Sequence, residues 1–272
     1  MTATLRRERK GPQGRDRKRR PLKRHVQQDL FARKKRRRRP GARPVGRPPK
    51  GASAGSPHKA RPTLAARYPV HVTLRVVPEL GNLRKRKVWK ALRWATICAA
   101  KREDFRIVQA SLQRTHVHLI VEADNKVALS RGMQGFQISA AKLINAAISE
   151  KRAVRRRGRV FADRFHQEII QTPRQARHAL SYVLNNWRKH GEDRAEFARR
   201  WLVDPFSTGI QFQGWKELEH HDVMWRPPET YEGLIVWLPR TWLLSVGWRR
   251  HGLIRCAEVP SAERDRAGRG AS

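Results

Sequence analysis

The sequence has few cysteines, few acidic residues and no long apolar run. Its 272 residues include only two cysteines, Cys98 and Cys256, which lie far apart along the chain. Two distant cysteines cannot form the disulfide framework of a small secreted protein, and no zinc-binding spacing is present. The cysteine content therefore favours a reducing compartment.

Apolar segments of the length needed for export or membrane insertion are also lacking. The N-terminus has no apolar core after its first charges, and Leu234–Val246 is interrupted by Pro239 and Arg240. A membrane-spanning helix needs about 20 mostly apolar residues. We therefore expect a cytoplasmic protein that is not exported and has no membrane partner.

Positive charge is the dominant feature of the composition. Lys and Arg total 61 against 23 Asp and Glu, which gives a formal net charge of +38. Such an excess repels itself unless a polyanion accepts it, and this favours nucleic acid over an anionic membrane surface as the partner.

The basic residues are densest in residues 1–62, which are rich in Arg, Lys, Pro and Gly and have no sustained apolar period. We expect a disordered basic arm there, because so little apolar surface cannot offset the entropy of ordering. Its Gly46-Arg47-Pro48 core resembles an AT-hook, which inserts arginine into a narrow A·T minor groove. A generic polybasic tail is the alternative reading.

Periodicity predicts ordered structure from about Tyr68. Alternating apolar residues indicate strands, and apolar residues spaced by three and four indicate helices. Thr172 with Pro173 and Gln175 has the pattern of a helix start. The predicted order is strand 70–77, helix 84–101, strands 105–109 and 115–122, a helix through 129–147, a basic loop 155–159, strand 164–171 and a helix after 172.

This order predicts an α+β fold, a four-stranded antiparallel sheet of ferredoxin-like (RRM-like) topology with an appended tyrosine-bearing helix. We expect the catalytic domain to span residues 68–195. A C-terminal extension, 196–258, is expected to pack on it, and 259–272 to be a disordered tail.

Two histidines and one tyrosine are the candidate catalytic groups. Residues two apart on a strand point the same way, so His116 and His118 share the open face of the sheet while Val117 faces the core. Residues four apart on a helix align, which places Tyr182 and Asn186 on one stripe. Two imidazoles can hold a divalent metal ion only with a third ligand. Each residue taken alone also fits a structural role.

Four segments in this order resemble the single-tyrosine HUH transposases, in particular the REP-associated tyrosine transposases. They are the first strand with its basic helix, THVHLIVEA at 115–123, VFADRFHQ at 160–167 and YVLNNWRKHG at 182–191. The last stretch is similar to the family's Tyr-Ile-x-x-Asn-Pro signature. The chain departs from the family at Asn185-Asn186-Trp187, and at Phe161 and Phe165.

The resemblance implies that His116, His118 and Asn186 are metal ligands for Mg²⁺ or Mn²⁺ and that Tyr182 is the nucleophile. It implies cleavage of single-stranded DNA near hairpins through a 5′-phosphotyrosine, a bacterial location near the nucleoid, and either a monomer or a homodimer. Trp187 and Phe161 are candidates for stacking on an unpaired base, and burial in the core is the alternative for both. We also expect phosphate contacts from arginines outside the metal site. The arginines are Arg47, Arg75, Arg155, Arg156, Arg157 and Arg164.

Two other functions remain open on the sequence. His71-Val72-Thr73 and His116-Val117-His118 loosely resemble the twin motifs of metal-independent two-histidine RNA phosphoesterases, although the second motif ends in His. That reading leaves the tyrosine helix without a role. The other alternative is a domesticated transposase that binds DNA without cutting it.

Overall fold

The computed structural model describes residues 61–150, 154–199, 201–222, 224 and 226–260. Most of the expected basic arm, including Gly46-Arg47-Pro48, and nearly all of the expected tail lie outside the described residues. Within the described part of the chain, no helix has both the length and the apolar character to cross a membrane.

A four-stranded antiparallel sheet forms the centre of the fold. Its strands are β1 Val70–Arg75, β2 Phe105–Leu112, β3 His116–Ala123 and β4 His166–Ile169, in the order β2-β3-β1-β4 across the sheet. The helices are α1 Arg86–Ala100, α2 Lys126–Ser149, α3 Pro173–Lys189 and the short α4 Trp242–Ser245. This order confirms the predicted α+β fold with an appended tyrosine-bearing helix.

Three strands differ in length from the sequence prediction, and β1 ends at Arg75 instead of residue 77. β2 continues to Leu112 because its last residues pair with β3 after a bulge between Ile107 and Gln109. β4 is shorter than predicted because it lies at the sheet edge and pairs only with residues 70–73 of β1. The bulge changes which side chains of β2 face each layer.

One face of the sheet packs on α1 and α2. Val70, Val72 and Leu74 alternate into this core, together with Val117 and Leu119 of β3. α2 packs closely on β2 at Gly132, where an added Cβ would lie 2.2 Å from the ring of Phe105.

The opposite face, which carries His116 and His118, is covered rather than open as expected. α3 lies over it and buries Leu180, Val183 and Leu184 with Ile120 of β3. The capping box of Thr172 and Gln175 fixes the start of α3, as the sequence predicted. Its apolar stripe required a partner surface, and the sheet provides it.

Residues 201–258 form short 3₁₀ turns, α4 and irregular segments that pack on α3 and the sheet. Trp215 and Trp248 are fully buried in the same cluster as α3. The buried carboxylate of Glu122 on β3 accepts hydrogen bonds from the backbone N–H groups of Arg240 and Thr241 and from the Thr241 hydroxyl. This contact anchors the segment before α4 to the sheet.

Candidate active site

The histidine pair lies where β1 and β3 pair in the centre of the sheet. Thr73 is opposite His118 in the register, and Arg75 is opposite His116. The His116 and His118 rings are 4.6 Å apart between centroids. The Nδ1 atom of His118 lies 3.2 Å from both His71 Nε2 and Thr73 Oγ1. These contacts fix the His118 ring and direct its Nε2 atom away from β1.

Tyr182 on α3 packs directly against these histidines. Its ring centroid lies 5.2 Å from that of His118 and 5.6 Å from that of His71, with edge-to-face geometry. The Nζ atom of Lys189 lies 5.0 Å from the tyrosine ring centroid. The fold thus brings Tyr182 to the histidine pair, the juxtaposition required by the transposase hypothesis.

Asn186, one helical turn after Tyr182, is fully buried rather than solvated. Neither its Oδ1 nor its Nδ2 atom has a hydrogen-bond partner among the described residues. Its neighbour Asn185 is equally buried, but its Nδ2 donates to the carbonyl of Arg255 at 3.0 Å. Buried polar groups are nearly always paired, so the unpaired amide of Asn186 requires an explanation.

Burial keeps the imidazoles uncharged at neutral pH. Burial and the nearby His166 lower the pKa of His71 to about 4. Burial, His190 and Arg75 lower the pKa of His116 to about 4. The pKa of His118 is lowered well below 6.5, first by burial and then by the surrounding histidines. The neutral imidazole is the form that binds a metal ion.

No group of three or more His, Cys, Asp or Glu side chains in the described ranges is arranged to hold a metal ion. The pair of imidazoles with an amide is a different donor set, and two observations fit it to a divalent ion. Within the described part of the chain, the Nε2 atom of His118 is buried without a hydrogen-bond partner, as are both amide atoms of Asn186. Ligating histidines bond their second nitrogen to a neighbouring group, as His118 does with His71 and Thr73.

The arginines expected to contact DNA differ in their surroundings. Arg75, Arg155, Arg157 and Arg164 are exposed. Arg156 is half-buried, and its guanidinium binds Asn145 and the carbonyl of Arg159. Arg156 therefore also holds the loop after α2 to that helix. Arg47 lies outside the described residues.

Of the aromatic candidates for base stacking, Trp187 is fully buried and therefore belongs to the core. Phe161 and Phe165 pack against the cluster between the sheet and the α1–α2 layer. His178 is exposed on α3 and takes no part in the cluster around Tyr182.

Sequence reasoning did not assign His71, Thr73, Lys189 or His190 to this site. The ring of His190, at the end of α3, lies 5.4 Å from that of His116. Alternation along β1 places His71 and Thr73 on the same side. Pairing β1 with β3 in the correct register was the missing step.

Known protein families and solved structures include matches to this chain. The family model described as "Transposase IS200 like" matches residues 67–186. Seven chains of solved structures match. One is a REP-associated tyrosine transposase bound to a REP hairpin, with 18% identity and a TM-score of 0.42, covering 66% of this chain and 99% of that chain. No curated protein matches. The match covers less than half of the chain, spans β1 to Asn186 and includes His116, His118 and Tyr182, so this segment is similar to the IS200-like transposases.

Proposed function

We propose that the protein is a metal-dependent endonuclease and strand transferase for single-stranded, hairpin-associated DNA, with Tyr182 as the nucleophile. The observation that carries the proposal is the contact of the Tyr182 ring with His118 on the face covered by α3.

In the proposed step, the Oη atom of Tyr182 attacks a phosphorus atom of the DNA backbone. The Oη–P bond forms, the bond from phosphorus to the 3′ oxygen breaks, and the protein retains the 5′ phosphate. The phenol loses its proton, and the 3′ oxygen takes one up to leave as a hydroxyl. The new phosphodiester conserves the bond energy, which permits rejoining to another strand.

The nucleophile requires activation. Burial raises the pKa of Tyr182 above its usual value, so the phenol keeps its proton at neutral pH. A divalent ion held beside Tyr182 would supply polarisation of the phosphate and stabilisation of the charge that develops on it. We propose that His116, His118 and Asn186 hold Mg²⁺ or Mn²⁺ for this purpose. The Lys189 ammonium adds positive charge beside the tyrosine ring.

His71 and Thr73 act as positioning residues in this scheme. Their contacts with the Nδ1 atom of His118 leave its Nε2 atom as the nitrogen that would bind the metal ion. Fixing the ring before binding lowers the entropy cost of assembling the site.

DNA binding is proposed from charge. The exposed Arg75 lies on β1 opposite His116, so its cation is close to the proposed cleavage site. Arg155, Arg157 and Arg164 are exposed and extend the basic surface. Such contacts neutralise phosphates and position the strand without reading its sequence.

The test of this proposal is the detection of a covalent protein–DNA adduct. Labelled single strands containing a hairpin are incubated with the protein and Mg²⁺ or Mn²⁺, and then denatured. We expect a protein–DNA band that survives denaturation in the wild type and disappears in Tyr182→Phe. Tyr68→Phe is the matched control, because Tyr68 lies outside the histidine contacts, and it should retain the band. An adduct in Tyr182→Phe would refute the assignment.

The RNA phosphoesterase alternative has one favourable observation, since His71, Thr73 and His118 are in contact. Such an enzyme needs one protonated imidazole as its general acid, whereas burial lowers the pKa of His71 and His116 to about 4. RNA cleavage that persists in EDTA would support this alternative. DNA binding without any adduct at physiological Mg²⁺ would support a non-catalytic protein.

A further inference from the structure

A second concave site lies beside the histidine cluster. It is a cavity of about 550 Å³ between the start of α1, the β2–β3 turn and residues 192–232. Its walls include the aromatic rings of Trp89, Phe206 and Tyr231, with Arg84, Arg86 and Arg114 among its basic residues. Small-molecule sites have comparable volumes and mostly apolar walls.

The aromatic walls are held in fixed positions. Trp89 Nε1 donates a hydrogen bond to the Glu232 carbonyl at 2.8 Å, and the Tyr231 hydroxyl donates to the Pro205 carbonyl at 2.9 Å. The Trp89 and Tyr231 rings are inclined by only 28°, with centroids 6.4 Å apart. Flat faces that are already ordered bind a planar ring at a low entropy cost.

The charges separate the interior of the cavity from its rim. The Arg84 guanidinium makes two hydrogen bonds to Asp204, at 2.9 and 2.8 Å, so its charge is compensated. Arg114 pairs with Glu192. Arg86 is exposed at the rim, where it donates to the Thr230 hydroxyl at 3.0 Å and has no carboxylate within salt-bridge distance among the described residues. A neutral planar group fits the interior, and a phosphate fits the rim.

The cavity lies near the proposed cleavage site, to which His190 connects it. Arg114 precedes His116 by two residues, and Glu192 follows His190 by two residues. The His190 ring contacts that of His116. The charges of Glu192, Arg84 and Arg114 all influence the pKa of His190, which places them within electrostatic range of it.

We propose that this cavity binds an unpaired nucleobase of the DNA strand whose phosphate occupies the Tyr182 site. The proposal rests on the proposed function and adds a base-recognition element to it. Much of the cavity wall comes from residues 192–232, which lie beyond the family match at 67–186. The element therefore belongs in large part to the chain's C-terminal extension.

The test is a scan of single abasic positions along the unpaired flank of a labelled hairpin strand. Affinity is measured at fixed salt with Tyr182→Phe protein, so the readout does not depend on cleavage. One position should show a loss of about 5- to 150-fold, since stacking on an aromatic residue is worth about 1–3 kcal/mol per base. 2-Aminopurine at that position should lose fluorescence on binding.

Variants of the cavity identify where this base binds. Tyr231→Leu removes a ring and should diminish both the abasic penalty and the quenching, whereas Tyr231→Phe keeps the ring and should retain them. Ala195→Phe adds a side chain to the cavity wall and should abolish both. Ala146→Phe, on the exposed side of α2, is the matched control and should change neither. Thermal unfolding verifies that each variant is folded.

The results separate the two proposals. If the abasic affinity penalty depends on the cavity but the wild type forms no covalent adduct, base binding is supported and the cleavage proposal is overturned. Base binding is overturned if the wild type forms the covalent adduct but no abasic position has an affinity penalty that changes in Ala195→Phe or Tyr231→Leu. The same holds if these variants weaken intact and abasic strands equally, because the cavity would then bind backbone. Absence of measurable DNA binding overturns both.

Discussion

The Asn186→Leu variant should be more stable than the wild type without metal and yet inactive. Asn186 is fully buried, and both of its amide atoms lack a partner among the described residues. An unsatisfied buried polar group costs about 1–3 kcal/mol. Leucine has the same branching as asparagine and no polar atoms. We therefore expect the free energy of unfolding in EDTA to rise by about 1–3 kcal/mol.

Denaturant and thermal unfolding in EDTA measure this change, with Asn185→Leu as the matched control. Asn185 is equally buried, but leucine there removes the hydrogen bond to the Arg255 carbonyl as well as the unpaired Oδ1. The two effects oppose each other, so we expect a smaller change or a loss of stability. For a chain of this size, 1 kcal/mol shifts the Tm by about 2–4 °C.

Metal addition completes the experiment. Mn²⁺ should raise the Tm of the wild type, because an ion that binds only the folded state stabilises it. It should have little effect on Asn186→Leu, which should also fail to form the DNA adduct. If Asn186→Leu unfolds more easily than the wild type in EDTA, or forms adduct at the wild-type rate, Asn186 is a structural residue and the reasoning is wrong.

Three further outcomes are expected. Gly132→Ala should destabilise the protein by about 1–3 kcal/mol in denaturant unfolding through overpacking, whereas Gly135→Ala, whose added Cβ meets no atom within 4 Å, should stabilise it by about 0.5–1 kcal/mol. Metal-free stability should fall as the pH decreases from about 6.5 to about 4, because the unfolded chain binds protons at His71 and His116 that the folded protein excludes until its lower pKa values are reached. The free energy of unfolding, obtained from unfolding curves measured at each pH, should not depend on these histidines above pH 7. Deleting residues 1–62 should reduce the slope of log affinity against log salt without removing adduct formation, since each neutralised phosphate contributes about one power of salt concentration.

The sequence predicted the sheet and the capping of α3 because these features are local. Alternation in β1 and the Thr172 capping box are each determined within a few residues. Period-two geometry likewise placed His116 and His118 on one side of β3. The role of His71 depends on the pairing of two strands that are 40 residues apart in sequence, which no local pattern encodes.

The burial of Asn186 and the second cavity were not predictable for a related reason. The sequence placed Asn186 on the α3 stripe with Tyr182 but did not indicate its burial, because that burial depends on how α3 docks on the sheet. Residues 192–232 form short 3₁₀ turns without apolar periodicity, so their packing against α1 had no sequence signature.

The shared burial of α3 by the sheet and residues 201–258 limits how this family segment can be transplanted. Cutting the chain after Asn186 would strip Trp215, Trp248 and Ile254 from the cluster that includes α3 and leave Glu122 without its backbone donors. The excised piece would expose an apolar helix surface and leave a carboxylate without hydrogen-bond donors, and we expect it to aggregate. Exchanges of this segment between related chains therefore need to include residues 201–258 together with α3.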